Sequence, residues 1–396
     1  MKSCAVICEF NLFHNGHASL LQSIRREFGE DTCIIALMSG NYTERGDIAI
    51  ADKFLRAEAA VYGGADLVLE IPFPFSSASA EHYARIGVAM AEMLNGVDYL
   101  AFGSESGDMM TLETAAVRSD SPEFKNSLRE ALRAQENKTQ GYARLCYEVY
   151  ASLYGREEAA VLLTPNNMLA IQYLRALKRI GSSIRPFTVR RTDDHHGKNL
   201  RTTTSSSAIR ESLLRGKSEE AFRAMPEDVA SVYRRALREG LLPVRPEALS
   251  SVLLAHFRCS SPPAGDGIGY RFLHASRRVS TIEEALSLVA TKRYTNAYLR
   301  RAMWYRYFGI ASPDNMCCIR YTQILGMNGR GQKKLAELRG RTHISLLTKP
   351  ADAIALDPPA KEQAALAAKA DSVFALALPS PFPGDYALRR GPFRKK

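Results

Sequence analysis

Cys4-Ala5-Val6-Ile7-Cys8-Glu9-Phe10-Asn11-Leu12-Phe13-His14-Asn15-Gly16-His17 sets an apolar strand against a loop whose two histidines flank Asn-Gly, and Leu20, Leu21 and Ile24 continue it at helical spacing. A strand that ends in such a turn and opens into a helix aims backbone N–H groups and the positive end of the helix dipole at one spot, where an anion is stabilised. Two imidazoles there can donate hydrogen bonds to phosphate oxygens, and Gly16 lets a nucleotide approach the backbone. The H-x-G-H spacing therefore points to attack on the α-phosphate of a nucleoside triphosphate. Two histidines three apart are more often a solvated or core pair. Their place after the first strand of an α/β pattern favours the ligand, because open parallel sheets bind ligands beyond the carboxyl ends of their strands.

Working outward, short apolar runs alternate with amphipathic segments. Strands are expected at Cys4–Cys8, Thr32–Met38, Asp66–Leu69 and Tyr99–Phe102, with helices at His17–Phe28, Asp52–Tyr62 and Ala80–Leu94 and Asp52 as an N-cap. This βαβαβ alternation predicts a doubly wound parallel sheet. A polar helical stretch from about 111 to 160 reads as an insertion, after which a helix at Leu169–Ile180 and a strand at Ile184–Val189 restore the pattern. The tract Thr202–Ser207 then leads into a helical segment. Hydroxyl residues there supply N-caps, so the tract could be a loop and a cap only; the favoured alternative has Ser206, Ser207 and Arg210 closing on phosphates from the opposite side.

At 396 residues the chain exceeds what one core usually serves, and 46% hydrophobic content is ample for two domains. We expect an ATP-binding catalytic domain over 1–215 and a basic, mainly helical domain over 216–396. No run approaches the length of a membrane span, so a soluble cytoplasmic protein is expected. Seven cysteines without framework spacing predict reduced thiols and no structural metal. Charge is lopsided: residues 216–396 carry 29 Lys+Arg against 16 Asp+Glu, a net +13, whereas residues 1–215 carry 24 against 26, a net −2. Such asymmetry points to a polyanion docking on the second half, although arginines that merely solvate helices would give the same count. Within that half, Lys292, Arg293, Arg300 and Arg301 can neutralise phosphates, while Tyr294 and Tyr298 offer stacking faces or, at i and i+4, a core contact. The terminal Arg389-Arg390-Gly391-Pro392-Phe393-Arg394-Lys395-Lys396 is expected to be a mobile basic tail.

The blocks Cys8–His17, Met38–Gly46 with Asp52–Arg56, Gly64–Pro72, Phe102–Glu105, Pro165–Ala170, Thr291–Thr295 and Ile324–Gln332, in this order, resemble the bacterial tRNA(Met) cytidine acetate ligases, a branch of the nucleotidyltransferases with the H-x-G-H loop. The resemblance spans nearly the whole chain. It implies a HIGH-type nucleotidyltransferase domain followed by a mainly helical tRNA-binding domain. It also implies a two-step ligation in which acetate and ATP give acetyl-adenylate, and N4 of the wobble cytidine of elongator tRNA(Met) then takes the acetyl group to form N4-acetylcytidine.

By the same resemblance ATP would be held by Ile7, Cys8, Glu9, Phe10, Asn11, Leu12, Phe13, His14, Asn15, Gly16, His17, Ala18, Ser19 and Leu20, with His14 and His17 on the phosphates. Gly103, Asn166 or Asn167, and Arg190 or Arg191 would complete the site. Neighbouring strand residues point to opposite faces, so the used member of each pair is left open. Asn41, Lys53 and Arg56 lie after the second strand, where they could receive acetate or tRNA, or simply start a helix and pair with carboxylates. Where the family carries an aromatic-His-Asp after the arginine, this chain has His195-His196-Gly197, a departure that leaves that loop without an assigned role. Magnesium is implied as the companion of ATP, with no carboxylate cluster to nominate its ligands.

Three rival readings fit less well. An adenylyltransferase acting on a small cofactor precursor gives no purpose to the basic half. A class I aminoacyl-tRNA synthetase would need a lysine-rich K-M-S-K-S-like loop, for which Ser205–Arg210 is only a positional substitute. A non-catalytic RNA-binding adaptor sits poorly with intact His14, Gly16 and His17.

Overall fold

The computed structural model describes residues 1–134, 141–191, 205–292, 294–310, 318–380 and 382–395. His195-His196-Gly197, Arg293 and the start of the Thr/Ser tract lie outside these ranges. The strands are β1 (Ser3–Cys8), β2 (Cys33–Ser39), β3 (Leu67–Ile71), β4 (Tyr99–Ser104), β5 (Arg185–Arg190), β6 (Tyr321–Met327), β7 (Ser345–Leu347) and β8 (Phe393–Arg394). They form one sheet in the order β5-β4-β1-β2-β3-β6-β7, with β8 beside β6. Pairings from β5 to β3 are all parallel. The chain steps outward from β1 through β2 to β3, then returns to the other side of β1 for β4 and β5. This reversal is the doubly wound arrangement, and it opens a crevice beyond the carboxyl ends of β1 and β4.

Period-2 alternation builds the two layers. Cys4, Val6, Ile34, Ala36 and Met38 face a core shared with α1 (Asn15–Phe28) and α2 (Lys53–Tyr62). Ala5, Ile7, Ile35, Leu37 and Phe102 face the opposite core under α3 (Ala80–Met93). Between β4 and α8 stand α4 (Met109–Ser119), α5 (Pro122–Arg133), α6 (Tyr142–Tyr154) and α7 (Arg156–Ala159), with a satellite core of Phe124, Leu128, Leu145 and Tyr150; α8 (Pro165–Ile180) itself packs on β4. Asp52 caps α2 as expected, its carboxylate accepting from the N–H groups of Phe54 at 2.8 Å and Leu55 at 2.9 Å.

The boundary expected at residue 215 does not divide the sheet. Beyond it come α9 (Ser206–Leu214), α10 (Ser218–Phe222), α11 (Glu227–Arg238), α12 (Ser250–Cys259), α13 (Gly267–Ser276), α14 (Ile282–Val289) and α15 (Asn296–Phe308), then α16 (Gly329–Leu338) and α17 (Pro358–Phe374) around β6. Strand β6 pairs antiparallel with β3, and Val229, Tyr233, Phe257, Phe272 and Trp304 join the core of the α1/α2 layer. The terminal tail is also tied down: Arg390 pairs with Asp52 at 3.1 Å and β8 extends the sheet. At the junction, Trp304 Nε1 donates to Gly46 O at 2.8 Å. Gly46 has φ +79°, and a Cβ there would sit 2.7 Å from the Arg301 nitrogen, so only glycine lets α15 approach this turn.

Candidate active site

His14 is the N-cap of α1. Its Nδ1 accepts from Gly16 N–H at 3.1 Å, which leaves Nε2 to carry a proton, 2.9 Å from Ser206 Oγ. His17 closes the capping box from the third helical position, its Nδ1 accepting the His14 N–H at 3.3 Å. The rings lie 3.9 Å apart. Burial, then the neighbouring His14 and Arg191, pushes the His17 imidazole well below its ordinary value, so it is a neutral ring whose Nε2–H is the available donor.

The local geometry corrects one expectation. The first amides of α1 are already bonded: Asn15 N–H to Ala224 O, Gly16 N–H to His14, and His17 and Ala18 N–H to His14 O. Attraction for an anion comes instead from the helix dipole and from side chains. The start of α9 supplies several of them. Ser206 meets His14, Arg210 Nη1 donates to Asn11 O at 2.8 Å, and Arg210 Nη2 donates to Ser207 Oγ at 3.2 Å. The N-termini of α1 and α9 therefore converge, as the phosphate-closing alternative requires. Ile7, Phe10, Leu12, Phe13 and Ala18 of the loop are buried in the core, so from these positions only backbone can face a ligand. Asn11 Oδ1 accepts from Ile50 N–H at 3.0 Å and holds the loop's shape.

The open pairs separate by strand alternation. Phe187 packs on Phe28 of α1 at 5.1 Å, and Arg191 continues that face: a Cβ on Gly103 would lie 3.0 Å from Arg191 Cγ. Arg190 turns to the other face, against Gly107. Asn167 is buried, its Oδ1 accepting from Glu105 N–H at 2.9 Å and Ser106 N–H at 3.1 Å, whereas Asn166 bridges Glu105 at 2.7 Å and Arg191 at 3.5 Å. Arg191 and Asn166 thus line the crevice. Glu105, named in the sequence only as part of the Phe102–Glu105 block, joins them by accepting from the Asn166 and Asn167 N–H groups at the start of α8, 61 and 62 positions away, a pairing that no local signal announces.

Asn41, Lys53 and Arg56 do not form an anion site. Lys53 is 2% exposed, with Nζ 2.8 Å from both Glu70 oxygens and 2.8 Å from Asp371 Oδ2. Asn41 Nδ2 donates to Asp371 at 2.8 Å and Tyr386 Oη at 3.1 Å. Arg56, fully buried, donates to the carbonyls of Glu9, Ser39, Gly40 and Ala51 and so pins the loops after β1 and β2. Arg300 pairs with Asp47 at 3.0 Å and Glu283 at 2.8 Å, and Arg301 with Glu44 at 3.6 Å, so both face other residues of the chain. Tyr294 and Tyr298 stack at 5.2 Å beside a groove of about 640 Å³ that Arg271 also lines, and Lys292 is exposed. Among the described residues no three His, Cys, Asp or Glu side chains group to hold a metal, and no helix is long and apolar enough to cross a membrane.

A sequence profile described as HIGH Nucleotidyl Transferase matches residues 1–385. The tRNA(Met) cytidine acetate ligase of Acetivibrio thermocellus is 30% identical over 96% of this chain and 96% of its own, and that of Syntrophotalea carbinolica is 32% identical over 88% and 85%. The chain belongs to the tRNA(Met) cytidine acetate ligase family. Among solved structures, Thermotoga maritima TmcAL bound with alpha-thio ATP matches with a TM-score of 0.89 at 28% identity, covering all of both chains. Apo TmcAL matches at 0.90. This ligase-family member therefore carries its relatives' architecture from end to end.

Proposed function

We propose that this chain activates acetate with ATP as acetyl-adenylate and delivers the acetyl group to N4 of the wobble cytidine of elongator tRNA(Met). The carrying observation is the convergence of the α1 and α9 N-termini around His14 and His17, flanked by Arg191 and Arg210, in a chain matched over its full length by an ATP-analogue-bound relative. Acetate is a poor electrophile until its oxygen becomes part of a good leaving group, and adenylation provides that. Cytosine N4 is a weak nucleophile, so it needs the activated anhydride. The His17 Nε2–H, Arg191 and Arg210 stabilise charge that develops on the α-phosphate and the departing pyrophosphate, and Asn166 orients Arg191. Magnesium would be carried mainly by the phosphates of ATP. Action on a tRNA puts the protein in the cytoplasm.

The test is exchange of labelled pyrophosphate into ATP by the purified protein, with and without acetate. Exchange that depends on acetate is expected. Exchange with a different acid only would reassign the substrate.

The half from 216 to 396 supplies the tRNA surface in this reading, through its +13 charge, through Arg271, Tyr294 and Tyr298 around the groove, and through the exposed Lys292, which follows Thr291 of the groove wall in sequence. Arg293 would add to it from its position in the sequence. Arg300 and Arg301, committed to ion pairs, shape this surface rather than bind phosphates. Charge reversal of Lys292 and Arg271 together is expected to weaken tRNA binding and to flatten its dependence on log salt by about 0.7–0.9 for each phosphate no longer neutralised. An unchanged slope in filter binding would remove the groove from the docking surface.

A further inference from the structure

We propose that the cavity between the first turn of α2 and the chain after α17 receives the base on the 3′ side of the reacting cytidine, stacked on Phe382 and held through its exocyclic amine by Asp385. The proposal deepens the tRNA(Met) reading and rests on it.

The cavity holds about 250 Å³. Leu241, Leu378 and Tyr386 are buried and give it an apolar floor, whereas Phe382 and Pro383 stand exposed at its mouth. The Phe382 and Tyr386 rings lie 6.3 Å apart. Two carboxylates also line it. Asp52 is fully committed, since Oδ1 accepts from the Phe54 and Leu55 N–H groups and Oδ2 from Arg390 at 3.1 Å. The Tyr386 hydroxyl is likewise taken up by Asn41. Asp385 differs. Its Oδ2 accepts from Arg389 Nε at 2.8 Å, while Oδ1 is buried with no hydrogen-bond partner among the described residues. A buried acceptor left unmatched is costly, and a donor carried in by a ligand removes that cost.

Sites for drug-sized ligands run to about 300–1,000 Å³, so a cavity of this size suits one flat ring system. Proteins hold an unstacked base with aromatic faces, with a carboxylate that accepts from its exocyclic amine, and with arginines for the adjoining phosphates. Arg389 stands beside the mouth with its side chain 72% exposed, in the half of the chain that carries a net +13. The cavity is also in reach of the reaction. Asp52 and Arg56 are one turn, about 6 Å, apart on α2, and Arg56 Nη1 donates to Glu9 O at 2.6 Å immediately beyond β1. The cavity and the tip of β1 thus lie on two sides of one helical turn, a step that neighbouring nucleotides splayed from their stack can bridge. An anticodon that reads AUG places adenosine directly 3′ of the wobble cytidine, and adenine N6 carries the amine that Asp385 Oδ1 lacks. Holding this base makes acetyl transfer depend on the neighbour of the cytidine, and so sets it apart from a cytidine followed by uridine, which has no amine.

A double-mutant cycle between protein and RNA tests this. Full-length tRNA(Met) is assembled with adenosine, purine riboside or an abasic residue 3′ of the wobble cytidine, and single-turnover acetylation is measured at subsaturating protein. On the natural tRNA, Phe382→Ala and Asp385→Ala are each expected to lower the rate about 10-fold or more, the size of one base–aromatic stack or one matched base contact. Purine riboside lacks the amine, so Asp385→Ala should cost almost nothing further on that RNA, and Phe382→Ala almost nothing further on the abasic one. Penalties that persist undiminished on the altered RNAs would overturn the proposal, because both residues would then act through the fold or the RNA backbone. Wild-type rates for both variants on the natural tRNA would also overturn it, and would leave the cavity to another occupant such as a peptide segment. Wild-type protein that fails to acetylate the natural tRNA would bring down the tRNA(Met) reading first, and that result is read before any variant is compared.

Discussion

His17→Ala is expected to lose acetate-dependent pyrophosphate exchange by about 10²–10³-fold, the usual cost of removing one pre-positioned donor to developing charge, with tRNA affinity nearly intact. Two roles meet in this residue. Nδ1 caps the His14 N–H, and Nε2–H is left for the ligand. Alanine removes both, and the lost cap alone costs about 1 kcal/mol of stability. His17→Gln distinguishes them, since glutamine at the third helical position can accept the same N–H and still present an amide donor; it should restore stability and part of the exchange. A variant that lost only tRNA binding would reverse the roles assigned to the two halves. The pH dependence follows from the depressed imidazole. The ring stays neutral from alkaline pH down through 6.5, so exchange should show no inflection from His17 there. The unfolded chain takes up a proton near 6.5 that the folded ring refuses, so stability falls as pH drops below that value.

The geometry of the first βα corner was legible because its signals are local. Strand, turn, N-cap and first helical turn of Cys4–Leu21 are contiguous, and the alternation of strand and helix signals over the first hundred residues sufficed for a doubly wound sheet. What escaped the sequence depends on partners far along the chain. The run Tyr321–Met327 is apolar enough to read as a strand, yet its place beside β3 is a pairing across some 250 residues, and no local pattern announces it. Lys53 and Arg56 look like site cations because they follow a sheet strand. They are interior residues because Lys53 meets Glu70 and Asp371, 17 and 318 positions away, and because Arg56 satisfies four backbone carbonyls. That Arg191 and not Arg190 shares a face with Gly103 follows from one fact, the face on which Phe187 packs, by strand alternation.

Lys53→Met is expected to destabilise the fold by about 3–5 kcal/mol, the cost of leaving buried carboxylates without their counter-charge. One ammonium here answers two acids, Glu70 on β3 and Asp371 on α17, and all three side chains are buried. The surrounding hydrogen bonds are complete: Asn41 Nδ2 donates to Asp371 Oδ1 and Tyr386 Oη, and Tyr42 Oη donates to Ala370 O at 2.9 Å. The network therefore fastens the last long helix to the sheet of the first half. Both acids raise the Lys53 pKa against the desolvation that opposes it, so the ammonium persists throughout the range in which the protein can be assayed. Because a raised lysine pKa contributes stability that is lost only as pH climbs through the folded value, moderate alkali should not loosen this contact. The check is the urea midpoint. Lys53→Met should lower it steeply, and adding Glu70→Gln should recover part of the loss by removing one of the stranded charges. A midpoint shift below about 1 kcal/mol for the single variant, the size expected of a solvated surface pair, would mean that water reaches these carboxylates and that α17 is held by its apolar contacts alone.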